Sequence, residues 1–341
     1  MKSDRIKFSV PYNGDYEIVE YFIENKKFIS DVYFGLPHKV ITSGRIIDYN
    51  FKSSDYLKNL PLALKKLKEN GIKCSLVMNR SCDGEMTFSP ELVQKYKEII
   101  RPLVNENLID NVVLSNPVYF TELKKEYPLL TFSISVNSNI NSIYRAKFID
   151  QLGFDIIIVD RDINHNEELI KNISNNVSAK IKLLVNECCL NECLFRTYHF
   201  NLLSHHQGDI AYHKIIPCTK IYSKEPWKML KSSFILPKDL DNYDDFVDIF
   251  KLAGRELPTK LLKHLLEIYF HRKNEGDLLT VLSSYGLHVW KNEFIKKHNK
   301  IPYLQMDKLP KNFKSFIANC DLNCKECNYC EKVWNTCLTT Y

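Results

Sequence analysis

Eleven cysteines are spread over 341 residues, and eight of them fall into two groups. The first reads CCLNEC, with Cys188, Cys189 and Cys193, and Cys218 follows nearby in a Pro-Cys step. The second reads CDLNCKECNYC, which sets Cys320, Cys324, Cys327 and Cys330 in the spacing C-x3-C-x2-C-x2-C. Thiolates are soft ligands, and three or four on short polar turns suit a metal centre or an iron–sulfur cluster. A lone cysteine is usually a small buried hydrophobe. That describes Cys74, inside an apolar run, better than it describes either group. Adjacent Cys188 and Cys189 are not both expected at one centre, so Cys189, Cys193 and Cys218 form the first-choice set and Cys188 the alternate. The terminal spacing is closer to the compact ferredoxin run than to paired zinc knuckles. Two [4Fe–4S] clusters are therefore expected, with structural zinc as the alternative at the terminal group. Cys320, Cys324 and Cys327 also spell CxxxCxxC, the radical S-adenosylmethionine pattern, but they come after the barrel has ended and that reading is set aside. Cys82 and Cys337 have no assigned partner.

His199, His205 and His206 lie near the first group and could complete a ligand set or move protons, although a histidine in such a loop is more often a hydrogen-bonding residue. Of these, His199 joins the candidate catalytic set. Eight short apolar runs rich in β-branched residues alternate with helical segments, the pattern of repeated βα units. They are KFSVPY, DVYFG, KCSLVMN, NVVLSN, TFSISVN, DIIIVD, KIKLLVN and, near residue 232, SSFILP. Between them lie amphipathic stretches such as SPELVQKYKEIIRPLVNEN, which opens with the cap Ser89, then Pro90 and Glu91. Eight strands over roughly 240 residues fit a TIM-like (β/α)8 barrel. The division is a barrel at 1–240 with a central cysteine loop at 186–218, a helical appendage at 241–300, and a linker with the C-terminal four-cysteine metal-binding segment at 301–341. DNYDDFVDIFKLAGRE, PTKLLKHLLEIYFHRKN and EGDLLTVLSSYG are assigned to the appendage, and KKHNKIPYLQMDKLPKN to the linker.

In such a barrel chemistry sits at the C-terminal ends of the strands. Those ends carry Asn13, Asp15, Asn79, Ser115, Asn116, Asn137, Asp160, Arg161, Asn186 and Glu187. Asparagine there often only caps a turn. Arg161, directly after DIIIVD, is either a bidentate reader of a carboxylate or phosphate or the partner of an acid such as Asp162. Arg161, Asn79, Asn137, Glu187 and His199 are the candidate catalytic residues.

Hydrophobic residues make up 45% of the chain and charged residues 26%, an ordinary globular balance. The odd cysteine count, the length and the start MKSDRIKFSV argue against a secreted disulfide framework. No apolar run has membrane-spanning length, so a cytoplasmic address with no membrane partner is expected. A net charge of +6, from 47 basic and 41 acidic residues, permits an anionic substrate or RNA without requiring either.

The order of segments resembles the collagenase-like peptidase family of unknown catalytic type. The likeness rests on SVPYNGD, DVYFGLP, GIKCSLVMN, LIDNVVLSNPVYF, FSISVN and LGFDIIIVDRDI, and spans about residues 5 to 205. It implies an iron–sulfur, oxygen-independent hydroxylase acting on a small molecule or an RNA base, with prephenate as hydroxyl donor. It also implies that Arg161 reads a donor carboxylate beside the cluster, and that a protein partner or electron donor takes part. The chain departs from the family in VNECCLNECLFRTYHFNLLSHH, in Asp162 where glutamate is common, and in the added terminal cysteines. Two other readings stay open, a peptidase as the family label says and a zinc-stabilised RNA-binding protein. Against the former, the chain has no HExxH and shows no convincing Cys–His nucleophile pair.

Overall fold

The structure is a computed structural model that describes residues 6–37, 53–205, 216–324 and 326–341. His206 and the stretch 206–215 of the central cysteine loop lie outside the described residues.

Eight parallel strands close into a barrel in sequence order. They are β1 (Phe8–Pro11), β2 (Ile29–Phe34), β3 (Lys73–Met78), β4 (Asn111–Leu114), β5 (Thr131–Ile134), β6 (Ile156–Ile158), β7 (Lys180–Leu184) and β8 (Ile249–Lys251). The barrel helices are α1 (Ile18–Glu24), α2 (Ser53–Glu69), α3 (Pro90–Asn105), α4 (Phe120–Glu126), α5 (Ile143–Leu152) and α6 (Glu167–Ser174). After β7 come α7 (Arg196–His205) and α8 (Pro217–Lys224), and after β8 comes α9 (Thr259–Phe270). The chain then forms α10 (Leu278–Val281), α11 (Tyr285–His298), β9 (Pro302–Leu304), α12 (Phe313–Ala318), α13 (Tyr329–Cys337) and β10 (Leu338–Thr340). Ser89 caps α3 as expected, its hydroxyl accepting from the Glu91 amide with Pro90 as first residue. None of the described helices is long and apolar enough to cross a membrane.

Seven of the eight expected strands form where the apolar runs place them. The eighth does not. SSFILP is buried, but its one ladder-like bond, from the Ile235 amide to the Val185 carbonyl, lies beyond the end of β7, and Pro237 then starts a 3-10 turn. The strand that closes the barrel is Ile249–Lys251, paired with β7 and β1 and placed past residue 240, within the stretch assigned to the helical appendage. A short apolar run has no period that separates strand from buried coil, so only closure selects between the two. KKHNKIPYLQMDKLPKN is likewise more than a linker, because it contains β9, antiparallel to the terminal β10.

Alternate residues of each strand face the helices and the barrel axis. Cys74, Leu76, Val112, Phe132, Ile157 and Leu183 belong to the large core that includes the helices. Tyr33, Val77, Val113, Ile158, Leu184 and Ala253 form a separate apolar cluster that also includes Val136. Two positions earlier on these strands lie polar side chains. Lys182 Nζ donates to Asp31 Oδ1 at 3.0 Å, and Ser9 and Ser75 both donate to Asp31 Oδ2 at 2.8 Å. Asn111 donates to Ser75 and accepts from Ser133. A charged pair inside a barrel is tolerated when its partners saturate it in this way.

Candidate functional site

Two positions past the apolar cluster, at the C-terminal ends, the side chains are polar again. Four of the five candidate catalytic residues join one chain of contacts there. Asn137 Nδ2 donates to the Asn79 carbonyl at 3.1 Å, Arg161 donates to Asn137 Oδ1 at 3.2 Å, and Arg161 pairs with Glu187 Oε2 at 2.6 Å. A guanidinium only donates, so it fixes which end of the Asn137 amide faces it. Arg161 and Glu187 are each about 1% exposed. Arg161 Nε is buried without a hydrogen-bond partner. The guanidinium carbon lies 5.1 Å from the Phe200 ring centroid, and the fifth candidate, His199, is the residue before Phe200 on α7, stacked on that ring.

The alternative pairing of Arg161 with Asp162 does not occur. Asp162 is held in two-pronged fashion by Arg196, whose second nitrogen sits 2.8 Å from Oδ1. Arg196 also donates to the Leu190 carbonyl, so it clamps the cysteine loop to the turn after β6. The composition of that turn, Asp-Arg-Asp, was the only available sign that a second cation was needed.

Other strand-end asparagines are structural. Asn13 donates to the Leu257 carbonyl and Thr259, Asn116 caps the turn at Val118, and Asn186 bonds Ala253 and Val281. The bonds of Asn186 and the Ser283 amide-to-Asn186 carbonyl bond fix the base of the cysteine loop against the segment after α10.

In the central group Cys188 is fully buried. Ser232 donates to its sulfur at 3.3 Å, and its carbonyl accepts from Tyr222. Burial, only partly countered by the Ser232 hydroxyl, pushes its thiol up to about 12. Cys218 on α8 is also pushed up to about 12, by burial and then by the neighbouring thiols of Cys189 and Cys193. Cys188 acts on Cys218 as well, so all four central cysteines are neighbours, and Cys188 is in addition bonded to Ser232. At the other end Cys320, Cys324, Cys327 and Cys330 line one cavity, and burial followed by Cys320 raises the Cys330 thiol. Among the described residues no group of three or more His, Cys, Asp or Glu is set to hold a single metal ion.

Gly286 on α11 is required by close packing at Cys218. A Cβ there would lie 2.9 Å from the Tyr222 ring and 3.3 Å from the Cys218 sulfur. Tyr222 is buried and bonded to Cys188, so it cannot swing away freely. Gly286→Ala is expected to cost about 1–3 kcal/mol, measured as a lower urea midpoint. An unchanged midpoint would mean that α8 and α11 pack less closely than described.

A family model described as peptidase family U32 matches residues 14–208. An uncharacterized protease of Methanocaldococcus jannaschii, MJ1657, is 30% identical over 344 residues, covering 96% of this chain and 97% of that protein. A solved structure titled as the U32 peptidase Mk0906 superposes with a TM-score of 0.53 at 18% identity, covering 73% of this chain and 93% of that one. At that identity the structural likeness speaks to the barrel fold alone.

Proposed function

The chain belongs to peptidase family U32, and from that premise we propose that it is an iron–sulfur enzyme acting at the C-terminal mouth of its barrel, of the oxygen-independent hydroxylase kind. The observation that carries the proposal is that Cys218 on α8 lies beside the thiols of Cys189 and Cys193, which follow Glu187, whose carboxylate pairs with buried Arg161. Three neighbouring thiols in a partly buried setting fit a cluster, which when bound supplies one-electron chemistry beside the strand ends. The fourth ligand is left open. Arg161 is held in place by Glu187 and Asn137, and its buried Nε is left for an acceptor atom of a bound anion. A small molecule or an RNA base serves as the acceptor of the reaction, and the net charge of +6 suits an anionic reactant.

The family name and that of the archaeal relative favour peptide hydrolysis. Thiol catalysis needs an accessible thiolate of lowered pKa with a base beside it. Cys188 and Cys218 depart from this in the opposite direction, both raised by burial.

Anaerobic purification followed by iron and sulfide analysis tests the proposal. Cys189→Ser, Cys193→Ser and Cys218→Ser together are expected to remove about four irons and four sulfides per chain, the content of one cubane. Wild-type iron and sulfide in that triple variant, or peptide cleavage by iron-free protein that alkylation abolishes, would sink the reading.

A further inference from the structure

The family match ends at residue 208, so the four terminal cysteines lie outside it. They are not scattered over the surface. All four line a single narrow cavity whose wall also includes Trp227, Phe316, the cations Lys228 and Lys231 and the carboxylates Asp321 and Glu331. Lys231 Nζ donates to the Cys324 sulfur at 3.2 Å, which places a cation against the group. The supporting surface comes from the barrel domain, because α13, which carries Cys330, packs on the turn Pro226–Lys231. The next residue, Ser232, donates to Cys188 in the central loop. A polar groove bordered by Asp162, His165 and Asn191 at the barrel rim shares Lys231 and Cys320 with the cavity. The terminal group is therefore continuous with the mouth of the barrel.

We infer that Cys320, Cys324, Cys327 and Cys330 hold an iron–sulfur cluster of their own, distinct from the one proposed at Cys189, Cys193 and Cys218. Four thiolates around one space form a strongly anionic donor set, and Lys231 offsets part of that charge. A tetrahedral zinc ion with bonds of about 2.3 Å draws its four sulfurs to roughly 4 Å from each other. A cubane holds its four cysteine sulfurs further apart, at the corners of a larger cage, and all four thiols border the one cavity. The compact spacing from Cys320 to Cys330 agrees with this.

The test is iron, sulfide and zinc analysis of the full chain purified without oxygen, with the electron paramagnetic resonance spectrum of the dithionite-reduced protein. The triple variant at Cys189, Cys193 and Cys218 is expected to retain about four irons, about four sulfides and a reduced-cluster signal. Cys324→Ser with Cys327→Ser alters two exposed side chains outside the packed core and is expected to lower a wild-type content of about eight irons to about four. Zinc without sulfide in the triple variant, or unchanged iron in the terminal double variant, overturns the inference. Iron lost only with the terminal cysteines would uphold it and sink the proposed central cluster instead, so the two failures are distinguishable.

Discussion

Lys182→Met is expected to destabilise the barrel by about 3–5 kcal/mol at neutral pH, the usual cost of leaving one member of a buried ion pair without its counter-charge. Lys182 and Asp31 are 3.0 Å apart, with side chains 1% and 7% exposed. Burial alone would raise the Asp31 carboxyl, but Lys182 together with Ser9 and Ser75 outweighs it and holds the group below its ordinary value. An acid depressed in the folded state contributes stability above its unfolded pKa of about 3.9, and that contribution is lost as pH falls through the lower folded value. Without Lys182 the burial penalty dominates and the folded pKa moves above the unfolded one. The contribution of Asp31 then changes sign, so the variant's deficit shrinks on acidification from pH 7 towards 4. Urea unfolding at several pH values reads both effects, and adding Asp31→Asn is expected to recover much of the loss. A deficit below about 1 kcal/mol that does not vary with pH would show that water reaches the pair.

Glu187→Gln is expected to have a comparable effect at the mouth, about 3–5 kcal/mol, because Arg161 cannot give up its proton and would lose its carboxylate partner in a buried position. Glu187 also opens the cysteine loop and forms a bridge with Ser283, so displacement there would reach Cys189. The variant is therefore expected to show both a lower unfolding midpoint and reduced iron at the central group. Adding Arg161→Met removes the stranded charge and is expected to restore most of the stability. If iron returns with it, the pair acts through folding. If stability returns and iron does not, the pair positions the cysteine loop. A single variant with wild-type stability would contradict a desolvated pair.

The seven apolar runs from KFSVPY to KIKLLVN become β1 to β7, Ser89 starts α3, and Cys74 lies in the core facing the helices. Each of these depends on side-chain alternation, a cap or a turn within a few neighbouring residues. The spacings of Cys189 with Cys193 and of Cys320 through Cys330 have the same origin, because tight turns bring residues three or four apart together, whereas Cys218 joins the first set only through the placement of α8.

Partner choice was not local. DIIIVDRD announces an arginine at a strand end, yet it was the closure of the barrel that put Glu187 beside Arg161 and gave Asp162 to Arg196. Ile249–Lys251 became the eighth strand in place of SSFILP because its register completes the ladders to β7 and β1. Gly286 reads as an ordinary helix residue until α8 brings Tyr222 and Cys218 against it, and Lys231 is one lysine among many until the segment before α13 brings Cys324 to it. The sequence by itself determined the strand order, the polar strand ends and the close thiol spacings, since these follow from short-range periodicity and spacing. Only the tertiary structure decided which charges pair and which thiols are neighbours, because those contacts join residues brought together by barrel closure and helix docking, where no local pattern reaches.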